Sequence, residues 1–351
     1  MDGNCLTRRA FVFSAAASFC LLGKPAEATA AEDRREFIDD LGRAVVVHQP
    51  PGKVVALGIN AQTLLVQLCP DCLMSLVKEA DESDASDYRA AGISDNVAHF
   101  DTGAINSSDI DGVDPDLFKA LSPDVMVDAG LRRDGLVEEL DELQRQTGVP
   151  CFFVDLSFGR LADAYRTLGL MLSCANRANS LAEAVDRIWR NTRDCLLGYG
   201  SAPLEVLYAP RMDGAWVSPS IEVQLSALEY LGAKVNREAY DYETSSIDFE
   251  AIDGDPPEVI VFDDLSSLEQ MSIRQGAIPD LWQSAVDKFC IRTVTAPARM
   301  HSWVRSMVFV QSIGLLWLGR ILKEPQDDFP ESTEVQQFYS LFYGYQPSDI
   351  E

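Results

Sequence analysis

Short buried-strand signals alternate with helical stretches along this chain, and then the alternation stops for a long interval before resuming. That interruption limits the fold more than any other feature. Apolar runs at residues 54–57, 73–77, 125–127 and 151–154 are each followed by a helical pattern. Runs this short and uniformly apolar suit strands buried on both faces of a parallel sheet. From Phe158 to about Gly198 no strand candidate occurs, and Leu161, Tyr165, Leu168 and Leu172 recur at helical spacing. After Gly198-Tyr199-Gly200-Ser201 the alternation returns at 205–208, 259–262 and 291–294, and a last helix is expected over 303–322. The expected fold class is α/β: two lobes, each with a central mostly parallel sheet flanked by helices, joined by a single long bridging helix. The boundaries read as an N-terminal lobe at 31–172, the bridging helix at 173–199, a C-terminal lobe at 200–325 and a tail at 326–351.

The two halves echo each other. Asp116 begins a short helical stretch that runs through Pro123-Asp124 into Val125-Met126-Val127, and Glu250 begins one that runs through Pro257-Glu258 into Val259-Ile260-Val261. In each the acid precedes the proline by seven residues. A helix entering a buried strand explains one such segment; its recurrence once per half argues for two similar lobes.

The N-terminus addresses the compartment. Arg8 and Arg9 precede an apolar run from Ala10 to Leu22, followed by a small, polar stretch with an Ala28-Thr29-Ala30 cleavage pattern. This order is that of a secretory signal peptide over residues 1–30, and the paired arginines with Phe11 resemble the twin-arginine type. The run is too short for a comfortable membrane span. Export, to the periplasm or the extracellular face of the envelope, is therefore expected, with no span after cleavage; lipidation at Cys20 is the minority alternative. Roughly 320 residues would remain, enough for two domains. The net charge of −26 argues against nucleic acid and anionic membranes as partners.

Six cysteines follow the signal: Cys69, Cys72, Cys151, Cys174, Cys195 and Cys290. Only Cys69-Pro70-Asp71-Cys72 is a close pair. It follows an apolar helical stretch, whereas a thioredoxin-like motif opens a helix. A local disulfide or two free thiols is the favoured reading. No second pair or histidine stands at zinc-ligand spacing.

Longer phrases carry a resemblance. Phe37-Ile38-Asp39-Asp40-Leu41-Gly42-Arg43 with the Val45–Val47 run leads to Pro51-Gly52-Lys53-Val54-Val55-Ala56-Leu57-Gly58. The acid-to-proline-to-strand segment occurs in both lobes. Trp282 with Ala285-Val286, Trp303 with Arg305, Ile313-Gly314-Leu315-Leu316-Trp317-Leu318, and Phe338-Tyr339-Ser340-Leu341-Phe342-Tyr343-Gly344 close the series. In this order the chain resembles the class III periplasmic binding proteins of ABC importers for ferric siderophores, haem and cobalamin. The resemblance implies a ligand cleft between the lobes, a monomer, limited closure about a rigid helix, and delivery of a metal-chelate small molecule to ABC permease subunits. It also implies that Asp116 and Glu250, one per lobe, dock on the permease; a plain alternative is an acid in a helix first turn.

Candidate ligand contacts stand where strands end, because loops there open on a cleft. These are Asn60, Arg132, Arg133, Arg211, Trp216, Tyr242, His301, Trp303 and Arg305, the last two favoured further by the resemblance. Arginines pair bidentately with carboxylate or catecholate oxygens, and aromatics offer flat contact area. Each has an ordinary alternative as a surface ion pair or packing residue. No nucleophile elbow, metalloprotease helix, phosphate loop or dinucleotide fingerprint occurs, so neither enzyme activity nor a cofactor is expected. Binding of a bare metal ion has only His48, His99 and His301 to draw on besides carboxylates. A sensor or adhesion protein that keeps the fold without transport is the other alternative.

Overall fold

A computed structural model describes residues 34–77, 98–100, 115–198, 202–211, 217, 219–264, 280–296, 303–304, 306–324 and 332–344. The signal-peptide reading, with Arg8, Arg9 and Cys20, lies outside these residues, as do Trp216, His301 and Arg305. The first elements are an antiparallel hairpin that the apolar patterning does not mark, β1 (Arg34–Ile38) and β2 (Ala44–His48). Its turn is held by Asp39, whose carboxylate accepts from Leu41 N and Arg43 N and from two Arg43 guanidinium nitrogens at 2.7 and 2.9 Å. Arg43 also donates to the Cys151 carbonyl at 2.8 Å, which fixes the hairpin to the N-terminal sheet.

The N-terminal strands at 54–57, 73–77, 125–127 and 151–154 are present as expected, with one more, at 98–100, that was not expected. β3 (Val54–Ala56), β6 (Val125–Gly130) and β7 (Cys151–Asp155) form one parallel sheet, and β4 (Ser75–Val77) pairs in parallel with β5 (Ala98–Phe100). β6 lies between β3 and β7, and a bridge from Val54 to Leu73 lays the approach to β4 on the other side of β3. Alternate residues sort by face. Val55, Met126, Cys151 and Phe153 join one apolar cluster with Leu136, Leu140 and Leu143; Val54, Ala56, Val125, Val127, Phe152 and Val154 join the other. The helices here are α1 (Ile59–Leu68), α2 (Pro115–Leu121) and α3 (Leu136–Thr147).

Residues 158–198 are two helices rather than one. α4 (Leu161–Met171) ends before Ser173, which takes a φ of +59°, and α5 (Ala175–Thr192) begins after it. α5 occupies the place of the bridging helix expected at 173–199, and turns complete the stretch to 198. At 18 residues it is about 27 Å long. Its buried stripe is Ala178, Leu181, Ala182 and Val185, the i, i+3, i+4, i+7 pattern. α4 and α5 cross so closely that a Cβ on Gly169 would lie 2.1 Å from the Ala178 Cβ. Gly169→Ala is therefore expected to cost about 1–3 kcal/mol of stability by overpacking. Adding Ala178→Gly should recover part of that loss, less about 1 kcal/mol of helix propensity. Urea unfolding of the two single variants and the double variant checks this.

The C-terminal sheet has the order β12 (Arg292–Thr295), β11 (Val259–Asp264), β8 (Val206–Arg211), all parallel. A short hairpin pairs β9 (Tyr240–Asp241) with β10 (Ser246–Ile247). The helices are α6 (Glu222–Leu231), α7 (Phe249–Gly254) and α8 (Asp280–Phe289). The last helix, expected over 303–322, is broken into α9 (Met307–Val310) and α10 (Ile313–Ile321). The break at Gln311-Ser312 sends the Gln311 side chain to the other lobe: its amide donates to the Leu156 carbonyl and its oxygen accepts from Gly159 N at 2.8 Å. Residues 326–351, expected as a tail, contain α11 (Thr333–Tyr343), with Val335, Phe338, Tyr339 and Phe342 buried in the core. One apolar cluster runs through both lobes, α5 and α11.

Asp128 is buried within β6, its carboxylate accepting from Ala129 N at 2.8 Å. Burial raises its pKa to about 6, against the opposing pull of Arg133 and Arg43. The native carboxyl thus keeps its proton up to about pH 6, while the unfolded one loses it near the ordinary aspartate value of 3.8. Between those values the native state holds more protons, so this group makes stability fall as pH rises. Asp128→Asn is expected to abolish that slope and to stabilise the protein above about pH 6. Denaturant unfolding on both sides of the window checks it.

Candidate functional site

A cavity of about 350 Å³ lies between strand ends of the N-terminal lobe and the start of α6 in the C-terminal lobe. Leu131 and Arg132 follow β6, Ser157 and Phe158 follow β7, and Glu222, Val223 and Ser226 come from the first turns of α6. A loop after a parallel strand must leave the sheet at its C-terminal edge, so two adjacent parallel strands deliver Arg132 and Ser157 to one rim.

Arg132 is the candidate that this cavity brings in. Its Nε lies 2.9 Å from Asp155 Oδ2; the arginine side chain is 55% exposed and the aspartate 7%. Asp155 is held in turn by Ser157, whose N and Oγ donate to Oδ1 at 2.8 and 2.5 Å. The contact is an ion pair at one edge of a guanidinium that carries five N–H donors, so Arg132 is placed without being consumed.

Glu222 forms the opposite wall, a residue that strand-end reasoning does not select. Its sequence signal is slight: an acid opening a helix shortly after Pro219. Tyr242 donates to it at 2.6 Å, and Arg237 donates to it and, through two nitrogens at 2.9 and 3.0 Å, to Glu229. Burial pushes the Glu222 pKa upward, but the bonds from Tyr242 and Arg237 outweigh it and hold the carboxylate below its ordinary value. Burial and the bond to Glu222 raise the Tyr242 phenol to about 12, so it remains a donor. Tyr242 therefore reaches the site through Glu222.

The floor is aromatic. Phe158 packs on Trp189 of α5 at 4.4 Å between ring centroids and on Tyr230 of α6 at 5.6 Å; Trp189 and Tyr230 are 4.6 Å apart. Trp189 Nε1 donates to the Gln311 carbonyl at 2.9 Å. One cluster thus ties the β7 loop, the bridging helix and the C-terminal lobe together, and touches the cavity through Phe158.

Other candidates stand apart. Asn60 is buried in the first turn of α1. Arg133 is half-buried and pairs through both terminal nitrogens with Glu139. Arg211 ends β8 in register with Asp264. Trp303, expected on the cleft wall, is instead inside the core with no exposed surface, and its Nε1 donates to the Tyr339 hydroxyl at 3.0 Å. A ring without accessible surface offers a ligand nothing to touch, so the structure assigns it to packing. Asp116 and Glu250 are both exposed, each second in a short helix and nine positions before a central strand. Lys119 pairs with Asp116 at 2.8 Å and, by that hydrogen bond, lowers its pKa. Cys69 and Cys72 are free thiols. Among the described residues, no group of three or more His, Cys, Asp or Glu could hold a metal ion, and no helix is long and apolar enough to cross a membrane.

No protein-family model matches the sequence, and neither does any curated protein. Solved structures do match. An ABC transporter solute binding protein from Sulfurospirillum deleyianum superposes with a TM-score of 0.69 at 17% identity, covering 89% of this chain and 96% of that one. A periplasmic solute binding protein from Veillonella parvula gives 0.64 at 20%, covering 90% and 94%. The molybdate periplasmic binding protein MolA of Haemophilus influenzae, with molybdate bound, gives 0.64 at 17%, covering 89% and 98%. The matches extend over nearly the whole of each neighbour, both lobes included, and so the chain has the two-lobed α/β fold of the periplasmic solute-binding proteins.

Proposed function

We propose that this chain is an exported, monomeric solute-binding protein that captures a metal chelate in the interlobe cavity and delivers it to an ABC permease. The observation that carries the reading is Arg132. It is a cation oriented by a buried carboxylate, standing at the strand-end rim of a ligand-sized cavity in a protein of net charge −26. A cavity of about 350 Å³ lies within the range of small-molecule sites. Arginine favours ligands with anionic oxygen donors, such as the carboxylates, catecholates or propionates of ferric siderophores, haem or cobalamin-like molecules. The neighbour that holds molybdate shows that this fold also accommodates an oxyanion.

Trp189 makes the test direct, since it packs on Phe158, which lines the cavity. Titrating the protein with ferric siderophores, haem, cobalamin and molybdate should quench its tryptophan fluorescence saturably with one class. No saturable response to any of them would sink the reading. Asp116 and Glu250 are assigned to permease docking, on the strength of their exposure and their matched places in the two lobes. Reversing both to Lys should abolish uptake in cells and leave ligand affinity within about twofold, since surface charges far from a site are largely screened. Retained uptake would overturn the docking assignment, and failure of the unaltered protein to support uptake would favour a sensor or adhesion role without transport.

A further inference from the structure

Three thiols meet where α1 ends and α5 begins. Cys69 closes α1, its N–H bonded to the Leu65 carbonyl at 2.8 Å. Residues 70–72 then form one 3₁₀ turn, closed by Cys72 N to the Cys69 carbonyl at 3.1 Å. In such a turn residues three apart eclipse each other, so Cys69 and Cys72 project on the same side. The Cys72 thiol donates to the Cys69 carbonyl at 2.8 Å. Cys174, the residue before α5, is near enough that its charge acts on Cys72 and that charge on Cys69 acts on it. Cys72 is buried, and Cys69 and Cys174 are partly exposed. The junction is itself tied down: Arg177 of α5 donates to the Gln67 carbonyl at 3.0 Å and to the Phe342 carbonyl of α11 at 2.9 Å.

We propose that Cys69 and Cys72 are a thiol–disulfide exchange couple, with Cys69 the attacking thiol and Cys72 the resolving one. The co-reactant is a disulfide, on a small thiol such as glutathione or on an oxidoreductase. The Cys69 thiolate attacks one sulfur of that disulfide, forming a mixed disulfide and expelling the first thiolate. Cys72 then loses its proton and attacks Cys69 Sγ, closing the Cys69–Cys72 bond and expelling the second thiolate. Two electrons and two protons pass to the co-reactant, which leaves as two thiols; reduction runs the same steps backwards.

The geometry gives the two sulfurs different tasks. The partly exposed Cys69 can meet a co-reactant, whereas the buried Cys72 is shielded from one. The neighbouring Cys72 thiol, and then its backbone N–H, lower the Cys69 pKa to about 7, outweighing burial and the charge of Asp71. The neighbouring Cys69 thiol, together with burial, drives the Cys72 pKa far upward, so it keeps its proton until Cys69 has reacted. Cys69 stands at the end of α1 rather than at a helix start, so its lowered pKa comes from Cys72 and not from a helix N-terminus. A purely structural staple is a poorer explanation, because so short a loop constrains the unfolded chain least.

The test uses the full chain in glutathione redox buffers, with thiols mapped by alkylation and mass spectrometry. Oxidising buffer should remove two hydrogens from the peptide carrying Cys69 and Cys72, and excess reduced glutathione should restore them. Alkylation of Cys69 should rise with a midpoint near pH 7, rather than near the ordinary value of about 8.5. Cys72→Ser should trap a stable glutathione adduct on Cys69, while Cys69→Ser should leave Cys72 unmodified. A bond from Cys69 to Cys174, a reduced pair in every buffer, or an ordinary midpoint for Cys69 would each overturn the proposal. The wild-type measurements suffice if either serine variant fails to fold.

Discussion

Trp303→Ala is expected to destabilise the protein by about 3–5 kcal/mol, while leaving ligand affinity per folded molecule unchanged. The indole has no exposed surface, so truncation deletes apolar contact on every side and opens a cavity that the surroundings can only partly fill. It also removes the donor to the Tyr339 hydroxyl, a buried group on α11. Relaxation is restricted on the backbone side, because the Trp303 carbonyl lies against Gly314, where a Cβ would come within 2.1 Å of its oxygen. Trp303→Phe keeps much of the volume and should cost less, the remaining loss reporting the hydrogen bond. Denaturant unfolding and ligand titration on the same preparations settle the matter. Lost affinity with intact stability would return Trp303 to the cleft wall, where its place in the sequence suggested it belonged.

The second large effect is on binding. Arg132→Ala should weaken affinity for an anionic chelate by about tenfold to a hundredfold, the equivalent of a charge-assisted hydrogen bond of roughly 1.5–3 kcal/mol. Because the arginine side chain is 55% exposed, the deficit should shrink as salt is raised. Arg132→Lys keeps the charge but not the planar fork that can hold Asp155 and a ligand oxygen together, and an intermediate affinity is expected. Glu222→Gln should act in the opposite direction, since it removes an anion from the facing wall while Tyr242 and Arg237 keep an acceptor. Isothermal titration of the three variants checks the set. Unchanged affinity in all three would place the ligand elsewhere.

The architecture was legible in the residues because burial on both faces leaves a local signature. Every strand expected at 54–57, 73–77, 125–127, 151–154, 205–208, 259–262 and 291–294 has a counterpart within a few residues. The hairpin of β1 and β2 was not legible as strands, because Ile38 and Val46 point to solvent and Val45 and Val47 inward. Its turn depends on Asp39 meeting Arg43, and its seat depends on Arg43 reaching Cys151, a contact distant in sequence.

The site divides in the same way. A position just past a parallel strand is local information, and it singled out Arg132 from the sequence alone. It singled out Trp303 equally well, and nothing local distinguishes an indole that faces a cleft from one that faces a core. That choice belongs to α11, which arrives from thirty-six residues further on and places Tyr339 against the ring. Glu222 and Trp189 carry no strand-end signal, and Phe158, though just past β7, carries no charge to single it out; they came together only when α5 and α6 brought the second lobe against the first. Periodic burial, read over a few neighbouring residues, determined the two lobes and the helix between them. Which side chains meet across that junction was decided by tertiary packing, because contact between distant segments leaves no periodicity in either one.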